Sequence, residues 1–265
     1  MKAIYSDFCE EGVSTLTIDD TYEYEIEEHR LYSNHHVKIL KENNGLNKAI
    51  GNYISIEVKN RHYYLYKEQI KQAIIKQIKK LTLNMKKTIT KVMVVGLGNE
   101  LMSCDAFGSM VLSKIHKDQL SIQCSLIKPG VKGNSEINTF DHIEALKKVF
   151  KPDLIIIIDA LATSKLTRLY QVIQINDVGI IPGGGVGNIQ KMLNKTNLGV
   201  DVLCIGVASV IAIESILEEM IYDYNEVKNE EFLYTMVSFK SLDYQLNWMS
   251  DIVASAINDY LDDLV

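Results

Sequence analysis

Proline is scarce in this chain: three residues in 265, at Pro129, Pro152 and Pro182. So few exclude long proline-rich linkers. Cysteine is nearly as rare. Cys9, Cys104, Cys124 and Cys204 form no C-x-x-C pair, which removes the zinc-ribbon and thioredoxin-like signatures and reads as free thiols in a reducing compartment. Basic charge is not in excess either. The formal net charge is −6, which offers no electrostatic footprint for nucleic acid. The longest apolar stretch, "VLCIGVASVIAI" at 202–213, is bounded by Asp201 and Glu214 and is too short to span a bilayer. The opening "MKAIYSDFCEEGV" is polar and acidic and has no signal-peptide core. Histidine is missing after His142, and none of the six sits in an H-E-x-x-H pattern. The expectations are a cytoplasmic protein without nucleic-acid or membrane partners and without metal or other cofactor.

What the chain does have is a core. Apolar residues make up 47% and charged residues 23%, ordinary values for a globular domain. "KVMVVGL" (91–97), "SIQCSLI" (121–127), "DLIIIID" (153–159) and "DVLCIGV" (201–207) are apolar runs without polar alternation, as strands buried on both faces are. Between them, "INTFDHIEALKKVF" repeats Ile137, Phe140, Ile143, Leu146 and Val149 or Phe150 at helical steps. The pattern predicts an α/β fold with a mainly parallel sheet and helices on both faces. "YQVIQIN" (170–176) alternates and reads as an edge strand. "STLTIDD", "YEYEIEE" and "NYISIEV" also alternate, which predicts an antiparallel β layer over residues 1–60. Ile70, Ile74, Ile78 and Leu81 form one stripe of a helix over 66–81. One domain spans 1–265, with a βαβ core at 88–217 and C-terminal helices at 218–265. The stripe Leu246, Met249, Val253, Ile257 and Leu261 fits either an intramolecular core or a homo-oligomer contact.

Ligands of open parallel sheets bind beyond the carboxyl ends of the strands. "DLIIIIDALAT" (153–163) sets Asp159 at such an end, and "VMVVGLGNELMSCDAFG" (92–108) carries Asp105 to the same edge by a short loop. Two neighbouring carboxylates can share a proton, one as base toward water and one as acid. The alternative is that Asp159 caps a turn and Asp105 caps the helix from Ala106. Glycine loops stand nearby: Gly98 and Asn99; Gly130 and Gly133 in "PGVKG"; and Gly183, Gly184, Gly185, Gly187 and Asn188 in "IIPGGGVGN". They suit a ligand-binding backbone nest or a tight turn equally well. Neither a P-loop nor a G-x-G-x-x-G fingerprint is present. Cys104 is a possible nucleophile, but nothing pairs it with a base.

Taken in order, "GLGN…DAFG", "KPGVKG", "IDALA", "IQINDVGIIPGGGVGN" and "LGVDVLCIGV" resemble the spore germination protease family. "YSDFCEEGV", "GLNKAIGNYISIEV" (45–58) and "MVSFKSLDYQLNWMSDIVASAIN" (236–258) extend the resemblance over nearly the whole chain. The resemblance implies an aspartic-type endopeptidase with a fold unrelated to pepsin. It also implies degradation of small acid-soluble spore proteins, a self-processing zymogen and a tetramer. Its two catalytic aspartates fall on Asp105 and Asp159. The opening "VMVVGLGNELMSCDAFG" is also similar to the hydrogenase-maturation peptidases, of phosphorylase-like α/β fold, whose carboxylates bind a metal together with a histidine; the matching stretch here has no histidine.

Departures from the family pattern cluster near the expected site. Cys104 stands where the family has Pro, Ser109 where it has Pro, Asn138 where it has Glu, and Ile181 where it has His; "NIQ" (188–190) and "VAS" (207–209) replace "NKR" and "VPT". Little chain precedes "YSDFCEE", so a propeptide is expected to be absent or a few residues long. These departures keep a diverged protease with another substrate and an inactive binding or assembly module as alternatives; the second resemblance adds a metal-dependent maturation-type peptidase, disfavoured by the missing histidine.

Overall fold

The computed structural model describes residues 7–13, 21–42, 48–59, 63–83, 85, 88–130, 138–184, 190–220 and 235–264. Its strands are β1 (Tyr22–Glu28), β2 (Tyr32–Ile39), β3 (Gly51–Val58), β4 (Lys91–Gly96), β5 (Gln123–Ile127), β6 (Leu154–Thr163), β7 (Val172–Asn176), β8 (Asp201–Ala212) and β9 (Met236–Val237). Its α-helices are α1 (Cys9–Val13), α2 (Lys67–Thr82), α3 (Phe107–Leu112), α4 (Thr139–Phe150), α5 (Lys195–Leu198), α6 (Ile213–Met220) and α7 (Leu242–Asp262). Among the described residues no helix is long and apolar enough to cross a membrane.

All nine strands join one sheet in the order β1-β2-β3-β7-β8-β6-β4-β5, with β9 added to β8. The four apolar runs of the core are its parallel half: β5, β4, β6 and β8. The N-terminal hairpins are antiparallel, as their alternation predicts, but they are not a separate layer. β3 pairs with β7 and extends the same sheet. "STLTIDD" lies outside the described residues.

β7 corrects one expectation. It is an interior strand, antiparallel to β3 on one side and β8 on the other. Its alternation does not mark a solvent face, because Gln174 and Asn176 are buried. Their partners are inside: Gln174 accepts from the Cys9 N–H at 3.2 Å, and Asn176 accepts from the Val178 and Gly179 N–H groups at 3.1 and 3.0 Å.

The isoleucine run of β6 shows why the parallel strands lack polar residues. Leu154, Ile156 and Ile158 enter the core beneath α2, α3 and α7, while Ile155 and Ile157 enter the opposite core with Phe140 and Ile143 of α4 and Leu198 of α5. Alternation thus feeds two cores, one per face. Burying each such side chain stabilises the fold by about 1.5–3 kcal/mol. The helical stripe of α2 is buried as its spacing predicts. On α4, Phe150 packs against the core whereas Val149 is exposed. The stripe of α7 is buried within the chain, against α2 and α3. It therefore cannot serve as a contact between copies.

Candidate active site

β6 does not stop at Asp159, as the sequence pattern suggests; it runs on to Thr163, paired with β8 through an irregularity between Leu161 and Ala162. What ends there is its other neighbour. β4 pairs with β6 only as far as Gly96 opposite Ile158, so Asp159 is the first β6 residue past the end of β4. Asp159 is 6% exposed. Its Oδ1 accepts the Ala160 N–H at 2.9 Å.

Asp105 arrives at this opening through the loop after β4. The Leu97 N–H donates to the Ile158 carbonyl at 2.8 Å, so the loop starts against β6. At its far end Ser209 Oγ on β8 donates to the Cys104 carbonyl at 2.9 Å. Gly108 lets α3 close down on both strands, since a Cβ there would lie 2.5 Å from the Leu97 carbonyl oxygen and 2.6 Å from that of Ile158. Asp105 Oδ2 accepts the Asn99 N–H at 2.8 Å. It caps no helix: α3 begins after Ala106 without a side-chain cap.

The two aspartates line one cavity of about 350 Å³. Gly98, Gly130, Gly183 and Gly184 line it as well. Asn99 does not; it holds Asp105 through its backbone, and its side chain accepts the Leu101 N–H at 3.0 Å. Gly133, Gly185, Gly187 and Asn188 lie outside the described residues. Of the departures from the family pattern, Cys104, Ile181 and Gln190 are on the cavity wall. Asn138 instead caps α4, accepting the Asp141 N–H at 2.9 Å.

The electrostatics separate the two carboxyls. Burial holds Asp159 well above the ordinary carboxylate range, and the charges of Asp105 and then Asp7 push it further, against the Ala160 N–H. Burial also raises Asp105, but less of its surroundings oppose its charge, and the Asn99 N–H favours the ionised form. Burial likewise raises the Cys104 thiol, with the Asp105 charge adding to it, so this cysteine is a poor thiolate nucleophile.

Asp7 is the residue that sequence reading missed. It lines the same cavity. The signal was the stretch "YSDFCEEGV", which carries part of the family resemblance, but no spacing ties it to Asp105 or Asp159. Among the described residues no group of three or more His, Cys, Asp or Glu side chains is arranged to hold a metal ion.

Comparison with known proteins gives the family. A family model described as germination protease matches residues 10–233. The chain is 37% identical to a germination protease of Clostridium tetani, over 83% of this chain and 72% of that one. It is 31% identical to a germination protease of Clostridium perfringens, over 80% of this chain and 78% of that one. Among solved structures it is similar to a hydrogenase maturation protease, HycI, from Thermococcus kodakarensis, with a TM-score of 0.39 and 17% identity over 66% of this chain and 96% of that one. By the extent of the family match and by relatives above 30% identity along most of both lengths, this chain belongs to the germination protease family and is a peptidase.

Proposed function

We propose that this peptidase is an aspartic-type endopeptidase in which Asp105 and Asp159 share one proton and activate water against a peptide bond. The observation that carries the reading is the shared cavity, lined by one carboxyl from β6 and one from the loop that follows its parallel neighbour β4. Asp159, buried and raised, holds the proton; Asp105, supported by a backbone N–H, is the ionised base. Water loses a proton to Asp105 as its oxygen bonds to the carbonyl carbon. Asp159 then protonates the leaving nitrogen as the C–N bond breaks. The pair titrates as a unit. The backbone at Gly98, Gly130, Gly183 and Gly184 approaches the cavity without side chains and leaves room for an extended substrate.

The substrates are proteins or peptides, and the family resemblance points to small acid-soluble spore proteins. The same resemblance supports a homotetramer, which a mass from light scattering would test, and the polar opening of the chain supports a cytoplasmic setting. Incubation of the purified chain with small acid-soluble spore proteins, read by mass spectrometry, tests the activity. Discrete internal cleavage is expected. Intact substrate after prolonged incubation would favour a binding module of the same fold.

A further inference from the structure

Asp7 is gripped from two sides. Its N–H donates to the Ala162 carbonyl at 2.9 Å, and its Oδ2 accepts the Ala162 N–H at 2.8 Å. Residue 7 therefore pairs with β6 just beyond the irregularity that follows Leu161, on the stretch that β4 no longer covers. Its carbonyl accepts from Lys48 Nζ at 3.1 Å and Gln174 Nε2 at 3.2 Å. Immediately after it, α1 is fastened by charge: Arg168, 4% exposed, bonds Glu11 at 2.8 Å and also Glu10. Glu11 in turn accepts from the Ser164 N–H at 2.7 Å, at the end of β6. A surface tail needs none of these contacts. Here they bring a third carboxylate into a cavity that already holds two, where like charges oppose one another.

We propose that Asp7 is a positioning residue of the hydrolytic site: it pins β6 at Ala162 and sets its negative charge against Asp159, so that the shared proton rests on Asp159 and Asp105 stays the base. The inference rests on the reading of Asp105 and Asp159 as the working pair. The charged and titratable groups around Asp159 are Asp105 from the loop after β4, Asp7 from the N-terminal segment, and the thiol of Cys204 on β8. Burial raises Asp7 itself above the ordinary carboxylate range; the Ala162 N–H and then Lys48 favour its charge, and Glu11 opposes it.

The test reads Asp159 directly. In an Asp105→Asn background, the carboxyl carbon of Asp159 is titrated by NMR with and without Asp7→Asn. Loss of the neighbouring negative charge should lower the Asp159 midpoint by about one pH unit. In the active chain, Asp7→Asn should move the alkaline limb of kcat/KM to lower pH in the same sense. A purely structural Asp7 would change kcat and leave both positions alone, and an unmoved midpoint overturns the inference. If Asp7→Asn does not fold, Asp7→Ser keeps an oxygen for the Ala162 N–H and must give the same shift. Cleavage that survives both Asp105→Asn and Asp159→Asn removes the underlying pair. A fixed midpoint with cleavage abolished by those two changes removes only the role of Asp7.

Discussion

Gly98 has no side chain where the main chain of Asp105 passes: an added Cβ would lie 1.9 Å from the Asp105 carbonyl oxygen and 2.9 Å from its Oδ1. Gly98 also holds φ +96°, a conformation that side chains rarely adopt. Gly98→Ala should therefore displace Asp105 as well as strain the loop, costing about 1–3 kcal/mol. Activity should fall by at least about tenfold while the rest of the fold persists, since small misplacements of reacting groups are costly. Thermal melting beside a cleavage assay separates the two effects. Full activity in a folded Gly98→Ala chain would show that the position of Asp105 is not critical.

Asp105→Asn and Asp159→Asn should each abolish most cleavage, by about 10³-fold or more. The double variant should be little worse, because groups that act as a unit are not additive. A chelator should leave turnover unchanged, and strong inhibition by one would favour a metallopeptidase. The substitutions keep side-chain shape, so circular dichroism should match the parent.

The stability of Asp159→Asn should depend on pH in a definite direction. Burial and neighbouring charge raise the folded-state pKa of Asp159 above its unfolded value. The proton is thus held more tightly by the folded chain, and that contribution is complete at low pH and lost as pH rises through the folded pKa. Asn does not titrate, so its advantage over Asp should grow with pH. Melting curves should show Asp159→Asn more stable than the parent at pH 8 and less distinguishable from it at pH 4, each kcal/mol amounting to about 2–4 °C. A parent that is the more stable at pH 8 would contradict the buried, proton-holding assignment.

Arg168→Met should be severely destabilising. It strands Glu10 and Glu11, which are 8% and 4% exposed, beside the end of β6, and breaking one partner of a buried ion pair costs about 3–5 kcal/mol. Urea titration measures this. Adding Glu10→Gln and Glu11→Gln should recover part of the loss, because the neutral amides no longer demand a cation. A loss below about 1 kcal/mol would mean that the cluster is hydrated.

Bell-shaped activity is expected, with both limbs above the range of ordinary carboxylates, because burial raises both members of the pair. The acid limb reports protonation of the base and the alkaline limb loss of the acid's proton. A profile flat from pH 4 to pH 9 would count against a carboxyl pair.

The sequence alone determined the parallel half of the sheet, since only strands covered on both faces read as "LIIII". It also determined the stripes of α2 and α7, whose spacing matches one helix face, and, through the ordered motifs, the family. These features are local, or recur within one element. Tertiary structure decided what depends on partners remote in the chain. It placed β7 in the interior, because Gln174 and Asn176 find their hydrogen bonds inside rather than in water. It buried the α7 stripe against α2 and α3. It put Asp159 beside an opening and not at a strand end, because β4 stops where β6 continues. And it brought Asp7 to Ala162 on the stretch of β6 that β4 leaves uncovered, a contact that no periodicity encodes, since it is made by the docking of a short segment against a strand formed much later in the chain.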